Sequence, residues 1–475
     1  MGVPGTMSTD GGSYRDPSGF VFYRSGGVYR TVSDASWSVM EEVFREGIVD
    51  DLVSRGWLVG SRIVEDGSEE HRTLCDAMPG WRHFIAHEKV PVISYPYEWT
   101  LSMLADAALL HLQIQKRLLK KGFALKDATA FNVQFIGPKP IFIDIGSIEK
   151  PQRMDIWVAY SQFCRMFLYP LLLFSRKRLS FRSIFMASVD GIEVDQAYAL
   201  LGRWQSLAPS LFLDVYLQYV LNKKGHARAR ELRAEMTKPR RDPGPQILNL
   251  DRLARKVRGI REKQKVSGLW SEYEVTNTYT DSSRSDKEAF ISKFMQEFKP
   301  ATVLDLGCNT GEYSRIAAQA GAAVIALDGD HDSVELLYRK AFQEKMGILP
   351  LVADLTNPSP GLGFRNRERA ALLERIRCEA VFALALVHHL LIAGRIPLAA
   401  IRDLMAELTS RYLVIEYVDR EDPMFQTLLA LREDLYKDLT PELFTGVFKE
   451  RFELFHEAPL PGLKRRLMTF RLRNA

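Results

Sequence analysis

Val303-Leu304-Asp305-Leu306-Gly307-Cys308-Asn309-Thr310-Gly311 is the stretch on which the reading of the fold turns. An apolar run delivers one acidic side chain and then a glycine turn, the pattern of a buried strand feeding a helix. In doubly wound sheets the crevice at such strand ends is where ligands bind. Gly307 and Gly311 let the backbone approach a ligand that a side chain would block. Reading outward, Ala323–Leu327 is a second strand followed by Asp328 and Gly329, and Ile348–Val352 a third followed by Asp354. A carboxylate at the second tip can accept hydrogen bonds from both hydroxyls of a ribose. Further strands are predicted at 380–386 and 412–417, and helices at 313–320 and 332–345. Strands alternating with helices imply an α/β domain with a parallel sheet. The late apolar runs 452–456 and 467–472 have no helix between them and read as an antiparallel closing pair.

The acidic-x-Gly-x-x-x-Gly turn, with acidic residues on strands two and three, resembles the class I S-adenosylmethionine-dependent methyltransferases. That resemblance implies a Rossmann-like seven-stranded domain. Asp305, Gly307, Asn309 and Gly311 would surround the methionine part of S-adenosylmethionine, Asp328 would hold the ribose and Asp354 the adenine. Cys308 and Gly329 belong to the same expected cofactor-binding set. A nicotinamide-binding domain would instead need Gly-x-Gly-x-x-Gly around a pyrophosphate. Here Asn309 stands at the second glycine, and Asp305 would repel phosphate. In this fold strand four ends over the transferred methyl group. His388 and His389 follow it and are the candidate bases, because imidazole titrates near neutrality. Glu416, ending strand five, is a second candidate that burial would silence. Trp270–Tyr273 and Asn277–Tyr279 are candidate lid or packing residues.

The first half of the chain begins with a Gly/Ser/Thr-rich tail over 1–14, expected to be disordered. A hairpin (19–24 and 27–32) follows, then short helices at 37–44 and 48–55, a strand at 89–95, an amphipathic helix at 98–120 and strands at 133–136 and 141–144. Within it, Leu125-Lys126-Asp127, Asn132 and Phe142-Ile143-Asp144-Ile145-Gly146 resemble the catalytic loop and metal-binding turn of protein-kinase-like phosphotransferases. By that resemblance Asp127 would be the base, with Asn132 and Asp144 on magnesium and ATP as a second cofactor. No lysine precedes Lys89, so no strand lysine is at hand for the phosphates, and Arg30 is the cation that would have to substitute.

Val92–Trp99, Leu125–Ala128 and Asn132–Phe135, followed by Ala385–Leu390 and Asp422-Pro423-Met424, together resemble the bacterial NoeA-like family, named for host-specific nodulation proteins. The expected organisation is a tail (1–14), a kinase-like α+β domain (15–221), a basic joint (222–265) and a methyltransferase domain (266–475). The joint carries fifteen Lys/Arg against five Asp/Glu. It reads either as a solvated helix and Pro-rich connector or as a patch for an anionic partner such as a membrane surface or polyanionic glycan.

The chain has 475 residues, 46% hydrophobic and 26% charged, which is globular and long enough for two or three domains. A net charge of +5 is too mild to call for nucleic acid, and no Asn/Asp-Pro-Pro-aromatic motif of base-modifying enzymes follows strand four. The four cysteines (Cys75, Cys164, Cys308, Cys378) have no metal spacing and suit a reducing compartment. The N-terminal residues fit a loose myristoylation pattern but no secretory signal. No apolar run is long enough to cross a membrane, so a cytoplasmic location is expected. The expected activity is methyl transfer to an oxygen or nitrogen of a small-molecule or glycan acceptor, with no resident metal. The alternatives are a bifunctional phosphotransferase–methyltransferase and a non-enzymatic S-adenosylmethionine-binding regulator.

Overall fold

A computed structural model describes residues 7–223, 239–264 and 281–473. Two compact units are formed. One comprises Met1–Ile136, Pro140–Gln264 and Gly361–Ala370; the other comprises Gly137–Lys139, Lys265–Pro360 and Ala371–Ala475. The candidate lid residues 270–279 and the middle of the basic joint lie outside the described residues.

In the N-terminal unit, strands β1 (Met7–Thr9), β2 (Val21–Arg24), β3 (Gly27–Val32), β4 (Ser61–Ile63) and β5 (His83–His87) make an antiparallel sheet ordered β1-β2-β3-β5-β4. Residues 7–14 of the expected disordered tail are therefore ordered. β1 pairs with β2, Tyr23 donates to Asp10 at 2.7 Å, and the Val21 amide donates to Ser13 Oγ at 2.7 Å. The β2–β3 hairpin turns through Ser25 (φ 50°) and Gly26 (φ 81°), a left-handed pair that matches the strand twist.

The strand expected at 89–95 does not form. Pro91 has no amide to give a ladder. The segment instead turns inward, where the Ser94 amide donates to Gln134 Oε1 at 2.8 Å and Trp99 Nε1 donates to Ser94 Oγ at 2.9 Å. The fifth strand is the preceding His83–His87.

Thr100 caps the helix Leu101–Leu119, which ends before Gly122 (φ 84°). This helix is buried nearly all round rather than on one stripe, because the helix Gly244–Lys263 packs along it. Lys116 reaches Asp251 at 2.7 Å and Arg261 reaches Asp106 at 3.0 Å. Arg252 grips the buried Asp214 through two bonds of 2.6 and 2.7 Å. Arg240, Arg252, Lys256 and Arg261 of the basic joint are thus matched to acids of this unit, which runs on to Gln264. Short pairs β6 (Ala124–Leu125) with β9 (Ile148–Glu149), and β7 (Val133–Ile136) with β8 (Lys139–Phe142), frame the 122–147 region. Gly361–Ala370 also belongs here: Arg15 donates to Glu368 at 3.0 Å, and Arg369 lies 4.2 Å from the Phe131 ring centroid.

The C-terminal unit is a seven-stranded sheet of β10 (Thr302–Leu306), β11 (Ala323–Asp328), β12 (Ile348–Val352), β13 (Cys378–Ala383), β14 (Thr409–Val418), β15 (Phe452–Pro459) and β16 (Arg465–Leu472). Their order is β12-β11-β10-β13-β14-β16-β15. The first five are parallel; β16 runs antiparallel to both β14 and β15. Continuous burial of β10, β13 and β14 explains their unbroken apolar runs. Val303, Ala326, Phe382 and Val414 pack under Ile291 and Phe294 of the helix Asp281–Phe298. The order reverses at β10, so the crevice between the β10 and β13 tips is the topological switch point.

Candidate functional site

β10 ends in Asp305-Leu306-Gly307, and the chain must then turn into the helix Glu312–Gln319. Gly307 (φ 71°), Asn309 (φ 48°) and Gly311 (φ 83°) make that turn through left-handed backbone. It is pinned to the neighbouring strand: the Gly307 and Cys308 amides donate to the Leu327 carbonyl at 2.8 and 3.0 Å, and the Asn309 amide donates to Asp328 Oδ2 at 2.8 Å. The turn therefore carries the β11 carboxylate with it.

A cleft of about 440 Å³ opens over these tips, a size suited to a small ligand. Asp305, Gly307, Cys308, Asn309, Asp328, Gly329 and Asp354 all line it, and so does His389. Two expected residues do not line it. Gly311 faces the helix behind, where an added Cβ would lie 2.3 Å from Leu337 Cδ1; its smallness serves packing. His388 is buried beside the cleft, with its Nδ1 unpartnered.

The carboxylates differ in state. Burial pushes Asp305 up to about 6, only partly opposed by the Ser314 hydroxyl at 2.5 Å. Burial also raises Asp328, against the backbone amides of Asp330 and Asn309. Asp354 is exposed and accepts Thr356 Oγ1 at 2.7 Å. The Asn309 Oδ1 is buried without a partner. An unpaired acceptor, three carboxyls and a glycine turn, with the cations Arg284 and Lys287 also in the lining but paired to Glu312 and Glu416, fit a zwitterionic nucleoside that bears an extra positive charge. A pyrophosphate fits them poorly, since Asp305 and Asp328 stand where it would need amides.

After β13 the backbone enters a left-handed residue again at Ala385 (φ 48°), and a π-turn then forms over His389–Ala393. Strained non-glycine backbone and π-turns recur at functional sites. Ala385 is held by its amide, which donates to Glu416 Oε2 at 2.9 Å. Glu416 is itself fully buried; Lys287 Nζ lies 2.7 Å from it, and Arg465 reaches it at 3.3 Å while binding Asp422 at 2.6 Å. Burial works to raise Glu416, but Lys287 and Arg465 together hold it below its usual range. Glu416 is thus a paired structural carboxylate. Burial lowers both histidines, with His389 and Arg465 adding to the effect on His388, and Arg465 to that on His389. Sequence reasoning missed Lys287, which looks like a surface residue on a polar helix, and Arg465, whose partner is far away in the chain.

No protein-family model matches the chain. It is 34% identical over 470 residues, covering 97% of this chain and 95% of the relative, to nodulation protein NoeA of Rhizobium meliloti (strain 1021). The chain belongs to the NoeA family. Solved structures with some likeness include the N-methyltransferase NodS from Bradyrhizobium japonicum WM9, at 10% identity over 41% of this chain and 98% of that one, TM-score 0.31. Another is the magnesium protoporphyrin IX methyltransferase ChlM from Synechocystis PCC 6803 with bound SAM, at 17% identity over 40% of this chain and 80% of that one, TM-score 0.29.

In this NoeA-family chain the N-terminal constellation is also brought together. Asn132 Nδ2 donates to Asp144 Oδ2 at 3.1 Å, and Asp144 Oδ1 accepts the Gly146 amide at 3.1 Å. The buried Arg30 of β3 donates to Asp144 at 3.2 Å and also pairs with Asp16. Burial raises Asp127, and Asp144 adds to the effect. Among the described residues no group of three or more His, Cys, Asp or Glu could hold a metal ion, and no helix is long and apolar enough to cross a membrane.

Proposed function

We propose that this NoeA-family chain is an S-adenosylmethionine-dependent methyltransferase acting on an oxygen or nitrogen of a small-molecule or glycan acceptor. One observation carries the reading: acidic side chains from three successive strand ends, Asp305, Asp328 and Asp354, line a single cleft at the switch point. The donor supplies an electrophilic methyl group on sulfur. The chain's own residues do the rest. Asp328 offers the ribose hydroxyls an acceptor on each oxygen beyond its two backbone amides. Asp354 lies within the cleft for the adenine edge, and Asp305, Gly307, Cys308 and Asn309 surround the methionine part. His389, held neutral by burial and lining the cleft, takes the acceptor's proton. His388 backs it from the interior. Titration calorimetry with S-adenosylmethionine tests the assignment: Asp328→Ala should abolish measurable binding, and unchanged affinity removes the ribose role.

The N-terminal unit is read as kinase-like in its Asp127, Asn132 and Asp144 arrangement, serving to bind or position rather than to transfer phosphate. The supporting observation is that Arg30 takes up Asp144, the carboxylate that a magnesium–ATP complex would require. A bifunctional enzyme would show magnesium-dependent ATP hydrolysis lost in Asp144→Ala. A regulator that merely binds the methyl donor would show no turnover with any acceptor pool. Labelled methyl donor incubated with fractionated host extract identifies the acceptor.

A further inference from the structure

Among the described residues that line the cleft of the C-terminal unit, the cations are Arg284 and Lys287. They stand three residues apart on the helix Asp281–Phe298, neighbours on one face. Their pairings differ. The Lys287 side chain is 2% exposed and lies 2.7 Å from Glu416, which is wholly buried. Withdrawing Lys287 would leave that carboxylate short of a cation in the interior, so Lys287 is committed. The Arg284 side chain is 44% exposed, and that of its partner Glu312 is 24% exposed. A pair so open to water contributes little and exchanges partners at small cost.

The glycine turn, for its part, offers a ligand acceptors. The Gly307 and Cys308 amides are spent on the Leu327 carbonyl and the Asn309 amide on Asp328 Oδ2. The Gly311 amide closes the turn on the Cys308 carbonyl at 2.8 Å. What faces the cleft is oxygen: Asn309 Oδ1, buried without a partner, and the Asp305 carboxyl. These suit the ammonium and the sulfonium of S-adenosylmethionine. Its α-carboxylate needs a donor, because a carboxylate taken out of water without one is costly. Neither the spent amides nor Lys287 supplies it.

We propose that Arg284 receives the α-carboxylate of the methyl donor in exchange for Glu312, and so selects sulfonium nucleosides that carry an intact amino acid over decarboxylated ones. The assignment rests on the S-adenosylmethionine reading of the cleft and adds the residue that holds the donor's free end. A guanidinium suits the task, because its planar fork binds both oxygens of a carboxylate, and charge-assisted pairs of this kind are among the stronger hydrogen bonds. Holding that end also limits where the reactive part of the donor can lie in the cleft.

Titration calorimetry of the full chain with two compounds tests this. One is S-adenosylmethionine; the other is decarboxylated S-adenosylmethionine, which keeps the adenosyl, sulfonium and amine groups and lacks the carboxylate. The wild type should bind the first about ten- to a hundredfold more tightly. Arg284→Gln should lose about that factor toward S-adenosylmethionine and stay within about twofold for the decarboxylated compound, so that the preference disappears. Arg284→Lys should restore part of it. The pair with Glu312 is at the surface, so thermal unfolding should move little in either variant. A preference that survives in Arg284→Gln overturns the proposal, and so does equal affinity of the wild type for the two compounds; in both cases the adenosyl site itself stands. A wild type that binds neither compound removes the methyltransferase reading, and this assignment with it.

Discussion

Asp305→Asn isolates the electrostatic cost of building this cleft. The carboxyl is 2% exposed and is pushed from an ordinary 3.8 to about 6. Below the ordinary value it is protonated in both folded and unfolded chains and costs nothing. Between the two values only the unfolded chain ionises it, so stability falls as pH rises. Above pH 6 the penalty is complete, at about 3 kcal/mol from 1.36 kcal/mol per pH unit. Asparagine keeps an oxygen for the Ser314 hydroxyl and carries no charge to desolvate. Urea unfolding of both proteins across the range from about pH 4 to pH 7.5 should show the variant gaining about 2–3 kcal/mol on the wild type as pH rises. A difference that does not change with pH refutes the argument. The same carboxylate should favour a cationic ligand once ionised, so S-adenosylmethionine affinity should climb through pH 6 in the wild type and stay flat in the variant. If affinity is equally pH-dependent in both, the methionine end of the ligand lies elsewhere.

Glu416→Ala leaves Lys287 and Arg465 buried as like charges and the Ala385 amide unmet, so a loss of about 3–5 kcal/mol is expected by denaturation. Lys287→Met with Glu416→Gln should recover much of it, and strict additivity of the single changes would rule out the pairing. Gly311→Ala must accept φ 83° and a Cβ 2.3 Å from Leu337, costing about 2–4 kcal/mol in thermal unfolding; donor affinity measured well below the melting point should change little. Arg30→Met strands Asp144 and Asp16 without their buried cation, and calorimetric melting should fall by about 2–4 kcal/mol. If that variant is as stable as wild type, the N-terminal ion cluster is incidental.

The sheet of the C-terminal unit was legible because its strands are covered on both faces and so read as apolar runs ending in acid or glycine. Asp328 and Asp354 could be picked out for the same reason, since a charge closing such a run marks where burial stops, while Asp305 stood out as the one charge inside a buried run. The antiparallel pair β15 and β16 was visible from the missing helix between them. What stayed hidden depends on distance in the chain. Nothing local shows that Lys287 is buried, since Asp281–Asp286 precede it as a polar helical turn. Nor does local sequence reveal that Gly361–Ala370 packs with the N-terminal unit, because its contacts with Arg15, Tyr95 and Phe131 lie hundreds of residues upstream. The misplaced strand at 89–95 shows the limit of hydrophobicity alone: a buried segment can be apolar while its proline denies it a ladder. Gly311 was assigned to ligand approach, yet its space is taken by Leu337.

The insertion of β16 between β14 and β15 also governs how the domain is made. β14 holds seven buried residues in its last seven positions, yet both of its hydrogen-bonding edges are occupied only after Arg465–Leu472 has been synthesised. Until then a long apolar strand waits on the growing chain with one side open, a ready template for pairing with other nascent chains. Arg465 arrives with the same strand, joining Lys287 at Glu416 and supplying the cation for Asp422. Closure of the sheet and neutralisation of the buried Asp422 are therefore a single late event in biosynthesis, and chaperone dependence should concentrate at that moment.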